Sequence, residues 1–248
     1  DRIAQGGGTG GSRSATVQNN ATLAAVTIII DVFCQYLADK LGVERHEVDF
    51  DDEQFRVAGS NSTPTMLELA EMARTEGRDD LLSHQATAKL NAQSFPNGAH
   101  VAEVEVDPDT GHVELISYVV VDDFGHMLNP MLVEGQVHGG VTQGVGQALC
   151  EHVVYDPDGQ LLTGSFMDYA LPRARDVPFF QFETQPLPST ANVLGIKGCG
   201  EAGTVGALAA VANAVQDALW DQGVTQADMP FTPLRVWTLL NTHDLAAE

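Results

Sequence analysis

The sequence predicts an α+β fold in which antiparallel hairpins pack against long helices. Two segments of alternating apolar and polar residues, 101–106 and 113–120, flank a turn sequence at 107–111, which is typical of a β-hairpin. A second turn of the same kind lies at 156–159. Apolar and small residues also recur at helical spacing in three long runs. These runs span residues 23–41, 130–149 and 204–220.

Length and charge limit the class of protein. With 248 residues, 44% of them hydrophobic, the chain can bury a core as one large domain or as two lobes; the polar stretch 58–94 is a candidate connection. Its 34 acidic and 12 basic residues give a net charge of −22, which argues against nucleic acid or an anionic membrane as partner. The best apolar stretch, 23–41, is interrupted by Asp31 and Asp39, so we expect no membrane span.

The cysteines and the chain start carry two further expectations. Cys34, Cys150 and Cys199 show neither CxxC pairing nor metal-ligand spacing, so we expect a cytoplasmic chain with reduced thiols and no zinc or iron–sulfur centre. The chain opens at Asp1 with no initiator methionine or leader. We therefore treat residues 1–248 as one domain that is a fragment or a split subunit.

The most informative stretch is the glycine-rich turn Gly195–Gly203, which contains Glu201. An extended segment at 191–194 precedes it, and helix formers follow it from Thr204. We expect Glu201 at the helix N-terminus, where glycines admit close approach of a ligand and the first amides carry partial positive charge. Such a turn suits an anion or a reacting centre.

The same turn matches the dinucleotide-binding spacing Gly198-x-Gly200-x-x-Gly203. A Rossmann unit needs a further strand with an acidic residue at its end, and residues 222–248 offer two prolines and another helix-like run instead. A carboxylate inside the loop would also repel a pyrophosphate. A nicotinamide-binding module is therefore the less favoured alternative.

Lys197 is one of three lysines, with Lys40 and Lys89, and lies inside the glycine turn. Two interpretations are open. It is either a solvated surface lysine, or a cation placed to meet a bound phosphate or oxyanion.

A second glycine-rich loop, residues 5–14, opens the chain and includes Gly11, Ser12 and Ser14. It is not a P-loop, because Ser12 stands where the lysine is required. It is either a flexible linker or a loop that binds phosphate with backbone amides and hydroxyls. Helix-forming residues follow directly, so we expect Ser12 or Ser14 near a helix start.

The third candidate is the run 129–149, in which Pro130 fits a first helical turn. Its glycines and glutamines recur three and four residues apart on one stripe. Either the glycines mark a tight helix crossing with solvated glutamines, or the amides meet a planar heterocycle such as a pterin. The stripe consists of Gln136, Gly140, Gln143, Gly144 and Gln147.

Taken in order, five motifs resemble the C-terminal part of the large subunit of molybdenum hydroxylases, the family of xanthine dehydrogenase, aldehyde oxidase and aerobic carbon monoxide dehydrogenase. The resemblance runs from Gly8 to about Thr242. The motifs are Gly10–Ser14, Val121–Gly125 with Asn129-Pro130, Gly135–Leu149, Gly164–Ala174 and Gly198–Gly203.

The resemblance implies roles for particular residues. Glu201 matches the general base of an oxidation that uses water as oxygen source, and Gln136 matches a glutamine that binds the pterin. Gly11, Ser12 and Ser14 match the loop that contacts the cofactor and the metal ligands. The residues Lys197, Gly198, Cys199 and Gly200 match the pocket lining beside the base. The molybdenum is expected to be held by the pterin dithiolene, with no protein ligand.

The resemblance also implies what lies elsewhere. The expected cofactor is molybdopterin, in its cytosine dinucleotide form, while FAD and 2Fe-2S clusters belong to partner chains or domains. Partners are then the remainder of the large subunit, the iron–sulfur and flavin subunits, and a small-molecule substrate: an aldehyde, an N-heterocycle or CO. The substrate-facing loop is not in this chain. A non-catalytic assembly domain with the same ancestry remains the alternative.

Overall fold

The computed structural model describes residues 6–90 and 92–245, and these form two compact units. The smaller unit is Ala15–Ala92; the larger combines the chain up to Ser14 with the chain from Gln93 onward. The stretch 58–94 is therefore more than a connection, because most of it, including a helix, belongs to the smaller unit.

The smaller unit consists of two helices and a hairpin around their own core. Its elements are α1 (Ser14–Leu41), β1 (Val48–Asp51), β2 (Gln54–Val57) and α2 (Met66–Thr75). Phe33, Phe55 and Leu69 are at most 3% exposed and anchor the core. Thr65 caps α2, accepting a hydrogen bond from the Glu68 backbone N–H in a capping box.

Helix α1 corrects the expectation that no segment is long and apolar enough for a membrane span. It begins at Ser14, well before residue 23, and residues 14–30 carry no Asp, Glu, Lys or Arg. By length and composition alone it meets the criterion for crossing a bilayer, with 28% of its most apolar window buried. A helix that packs in a protein core meets the same criterion, so α1 does not decide the location of the chain.

The larger unit is a three-stranded sheet with helices, so the predicted α+β class is confirmed. Strands β3 and β4 are antiparallel, and β5 pairs with β4 in parallel. Helix α4 packs against both α3 and β3. The elements are β3 (Asn97–Val106), β4 (Val113–Asp123), α3 (Pro130–Leu149), β5 (Gln181–Thr184), α4 (Ala202–Trp220) and α5 (Pro233–Leu245).

The first predicted hairpin is confirmed and the second is reduced to a turn. Asp107 accepts the Thr110 hydroxyl and the Asp109 backbone N–H, which fixes the β3–β4 turn. At 156–159 the turn forms, but its flanks share only the isolated bridge between Tyr155 and Leu161.

Helices α3 and α4 cross at glycines. A methyl group on Gly144 would lie 2.6 Å from Ala207 Cβ, and one on Gly203 would lie 2.5 Å from the Val137 carbonyl oxygen. The Thr204 hydroxyl donates to the Gly140 carbonyl at 3.0 Å across the crossing. The buried glycines of the stripe on α3 therefore serve helix packing. Gly203, the last glycine of the dinucleotide-like spacing, also serves this helix packing. Within residues 221–245, α4 is followed by α5 and not by the strand that a Rossmann unit requires.

The extended segment expected at 191–194 is wrong, because those residues form a turn. The Asn192 side chain accepts from the Ile196 N–H and donates to the Ile196 carbonyl, and Gly195 has a φ of 64°. These local bonds outweigh the strand preference of Val193 and Leu194. The strand-like pairing begins later, where Ile196 bridges to Gly125.

Candidate functional site

Glu201 lies where the sequence predicts, immediately before the first residue of α4. It is the N-cap residue, but its side chain makes no capping hydrogen bond to its own helix. The carboxylate is exposed and accepts the Ser12 hydroxyl, with Oγ to Oε2 at 2.7 Å. Partial positive charge at the helix N-terminus stabilises a negative charge at this position.

The opening loop folds into a tight turn beside this carboxylate. Gly11 and Ser12 have φ values of 57° and 56°, and the Arg13 N–H donates to the Gly10 carbonyl at 3.3 Å. Ser14 begins α1, as predicted, and its hydroxyl lies 2.7 Å from that of Thr9. Within the described residues, then, the loop is an ordered turn at the start of a helix.

Gln136 approaches the same place from α3. A methyl group on Gly200 would lie 3.4 Å from Ser12 Oγ and 3.9 Å from Gln136 Oε1, so both side chains converge on Gly200. Gln136 and Gly200 are exposed. Three segments far apart in the sequence, namely the opening loop, α3 and the turn before α4, thus meet in one exposed polar surface, which we call the glutamate site: Gly11, Ser12, Gln136, Gly200 and Glu201.

The Lys197 side chain is largely buried and is paired with an acidic residue, so the alternative of a solvated surface lysine is wrong. Its ammonium lies 2.5 Å from Asp123 Oδ2, and the two side chains are 8% and 12% exposed. Asp123 also accepts the backbone N–H groups of Gly125 and Leu187. Burial alone raises the pKa of Asp123, but Lys197 and these N–H groups outweigh it and hold the pKa below its ordinary value. Any cofactor contact by Lys197 stays a prediction.

Gly198 is in close contact with the opening loop, and Cys199 carries a half-buried thiol. A methyl group on Gly198 would lie 2.2 Å from the Ser12 carbonyl oxygen, so only glycine fits there. Cys199 is half-buried, and burial raises the pKa of its thiol. It therefore stays protonated near neutral pH and is a poor nucleophile or metal ligand.

A second polar cluster, which sequence reasoning did not identify, lies beneath α4. Tyr118 OH is 2.6 Å from His100 Nδ1, and His100 Nε2 is 3.3 Å from Asp122 Oδ1. Burial, with a contribution from Asp122, raises the pKa of Tyr118, so the phenol keeps its proton at neutral pH. Gly206 of α4 covers the His100 ring, leaving no room for a methyl group. No local motif signals this cluster, because its members are brought together by strand pairing.

A cavity of about 980 Å³ lies elsewhere in the larger unit. It is lined by the start of β4, the C-terminal part of α3 and the segment 166–178, which overlaps the fourth family motif. None of the residues of the glutamate site lines it.

The described residues hold no group of three or more His, Cys, Asp and Glu side chains that could bind a metal ion. All three cysteines are free.

Comparison with known proteins identifies the family. A sequence model described as molybdopterin cofactor-binding domain matches residues 1–178. The chain is 34% identical to the carbon monoxide dehydrogenase large chain of Hydrogenophaga pseudoflava, over 96% of this chain and 30% of that one. It is 32% identical to subunit gamma of the 6-hydroxypseudooxynicotine dehydrogenase complex of Paenarthrobacter nicotinovorans, over 95% and 30%.

A solved structure agrees. Quinoline 2-oxidoreductase from Pseudomonas putida 86 superposes with a TM-score of 0.82 at 33% identity, covering 96% of this chain and 31% of that chain. The chain belongs to the molybdopterin cofactor-binding domain family and corresponds to the cofactor-binding part of a molybdenum hydroxylase large subunit. It spans about 30% of the length of these relatives.

Proposed function

We propose that this chain supplies the general base and one wall of the cofactor site of a molybdenum hydroxylase. The observation that carries the proposal is the position of Glu201. Its carboxylate stands at a helix N-terminus, makes no bond to its own helix, and lies on an exposed surface with Ser12 and Gln136. A carboxylate in such a place can take a proton from a reacting group bound over the surface.

The residues present fit a molybdenum–pterin cofactor. The metal would need no protein ligand if the pterin dithiolene held it. A pterin needs groups that donate and accept hydrogen bonds, and the exposed Gln136 amide does both. Among the described residues, nothing lies within 4 Å of the position that a methyl group on Gly10 or Gly11 would take, so this side of the loop backbone is accessible to a flat ligand.

Within this site the side chains have distinct tasks. Gln136 and the backbone of Gly11 and Ser12 bind and orient the cofactor, with Ser14, Lys197, Gly198, Cys199 and Gly200 at its margin. When bound, the cofactor supplies the oxygen-transfer and electron-accepting chemistry. Glu201 accepts a proton at its carboxylate, and water is the source of the oxygen. The cofactor form we propose is the cytosine dinucleotide.

The substrate class and the partners belong to the same proposal. The relatives are named for carbon monoxide, quinoline and a nicotine derivative, so the family fold is compatible with very different substrates. We propose a small molecule, namely an aldehyde, an N-heterocycle or CO. We also propose that the remainder of the large subunit, with 2Fe-2S and FAD carried by partner chains, completes a cytoplasmic enzyme.

The test is the Glu201→Gln variant in the assembled complex, with carbon monoxide, quinoline and an aldehyde as electron donors to a dye. We expect unchanged molybdenum content and turnover reduced by about 100-fold or more, as for the loss of a general base. Asp217→Asn, on the same helix, is the matched control. Unchanged turnover in Glu201→Gln would point instead to a non-catalytic assembly domain.

A further inference from the structure

Among the residues that the structure describes, the Glu201 side chain accepts a hydrogen bond from a residue 189 positions away in the sequence. Ser12 Oγ donates to Oε2 at 2.7 Å. An N-cap carboxylate ordinarily accepts from the second or third N–H of its own helix, and Glu201 does not. Its orientation is therefore set by the opening loop.

The backbone of that loop is strained at Ser12. A φ of 56° places a serine in the left-handed region, next to Gly11 at 57°. Two successive positive φ values are typical of a type I′ turn, in which glycine and asparagine are preferred. A non-glycine residue in this region is conformationally strained. Glycine or asparagine would fit this backbone conformation better than serine, but neither would provide a hydroxyl.

A second contact fixes the same turn. The carbonyl oxygen and Cβ of Ser12 would lie 2.2 and 2.7 Å from a methyl group on Gly198. Backbone thus packs on backbone three residues before Glu201. The turn conformation and the packing of Ser12 on Gly198 together hold the Ser12 hydroxyl in place relative to the Glu201 carboxylate.

We propose that Ser12 is the positioning residue for Glu201. The inference rests on the proposed role of Glu201 as base. By donating to Oε2, the hydroxyl fixes the carboxylate plane and directs Oε1 toward the surface as the proton acceptor. Because the Ser12 hydroxyl donates its proton to Glu201, it has none left to donate to the cofactor, and Ser12 contacts the cofactor through its backbone.

The experiment compares Ser12→Gly, Glu201→Gln and the double variant in the assembled complex. Glycine tolerates the left-handed backbone, so Ser12→Gly removes the hydroxyl without new strain. We expect unchanged molybdenum content, KM within twofold, and kcat reduced about 10- to 100-fold, because a misplaced catalytic group costs factors of this size. The double variant should be no slower than Glu201→Gln alone, because Ser12 acts only through Glu201.

A readout independent of turnover is carbodiimide labelling of the Glu201 carboxyl, followed by peptide mass spectrometry. We expect faster labelling in Ser12→Gly and wild-type labelling in Ser62→Gly, an exposed serine of the smaller unit. Three results would overturn the proposal: wild-type kcat in Ser12→Gly, loss of molybdenum in proportion to activity, or unchanged labelling. If Glu201→Gln keeps its turnover, the proposed function fails, while the labelling rates still decide whether Ser12 orients the carboxylate.

Discussion

Lys197 and Asp123 join two segments that lie 74 residues apart in the sequence, through an ion pair buried beside the glutamate site. Asp123 ends β4, and Lys197 lies in the turn that leads to Glu201. The Lys197 backbone N–H also donates to the Phe124 carbonyl at 2.9 Å. The pair therefore fastens the glycine turn to the sheet.

We expect Lys197→Met to lower the free energy of unfolding by about 3–5 kcal/mol, since it leaves a buried carboxylate without its cation. Asp123→Asn combined with Lys197→Met should recover part of this loss, because the unpaired charge is removed as well. Urea unfolding of the purified protein measures both. Equal stability of Lys197→Met and wild type would contradict a stabilising role for the pair.

The same pair predicts a pH dependence. The pKa of Asp123 in the folded protein is below its ordinary value of 3.8, so its contribution to stability is complete above that value. It is lost as the pH falls through the lowered pKa. The difference in unfolding free energy between wild type and Lys197→Met should therefore be constant near neutral pH and shrink in acid, as the Asp123 carboxyl is protonated first in the variant and then in wild type. A difference that persists in strong acid would exclude this explanation.

We expect Gly144→Ala to destabilise the protein by about 1–3 kcal/mol, because the added methyl group would meet Ala207 at 2.6 Å. Gly139→Ala on the same helix is the control. Nothing lies within 4 Å of that position, so alanine should stabilise by about 0.5–1 kcal/mol through helix propensity. Melting temperatures of the two variants should move in opposite directions; a shift in the same direction would refute the close crossing.

We expect Gln136→Ala to lose molybdenum during gel filtration of the assembled complex, because the exposed amide beside Gly200 is a proposed pterin contact. Gln147→Ala, an exposed glutamine near the other end of α3, should retain wild-type content. Metal analysis by plasma mass spectrometry checks both. Equal retention in the two variants would argue against a pterin contact at Gln136.

Local signals made part of the molecule predictable. Pro130 and the helix formers after Glu201 mark the starts of α3 and α4, and the turn after Asp107 marks the β3–β4 hairpin. By contrast, Asp52 and Glu53 adopt φ values of 48° and 59° in the β1–β2 turn without the glycine or asparagine that such a turn usually shows. That hairpin carried no sequence signal.

The partners of the predicted site residues could not be predicted. Glu201 was identifiable from its place before a helix, but its contact with Ser12 depends on how distant segments fold together. Lys197 was noticeable for its rarity, and only the structure shows that Asp123 neutralises it. Spacing reveals residues that share a helix or a strand, and it carries no information on pairs that tertiary packing creates.

The glycine crossing of α3 and α4 sets the distance between residues of the glutamate site that the two helices carry. A methyl group on Gly140, Gly144 or Gly203 would lie within about 3 Å of an atom of the facing helix, so the two helices are in close contact at these positions. Sliding one helix by a single turn, about 5.4 Å, would separate the Gln136 amide from the turn that carries Glu201. The close packing of glycines at this crossing therefore sets the distance between Gln136, proposed to hold the cofactor, and Glu201, proposed to act on the substrate.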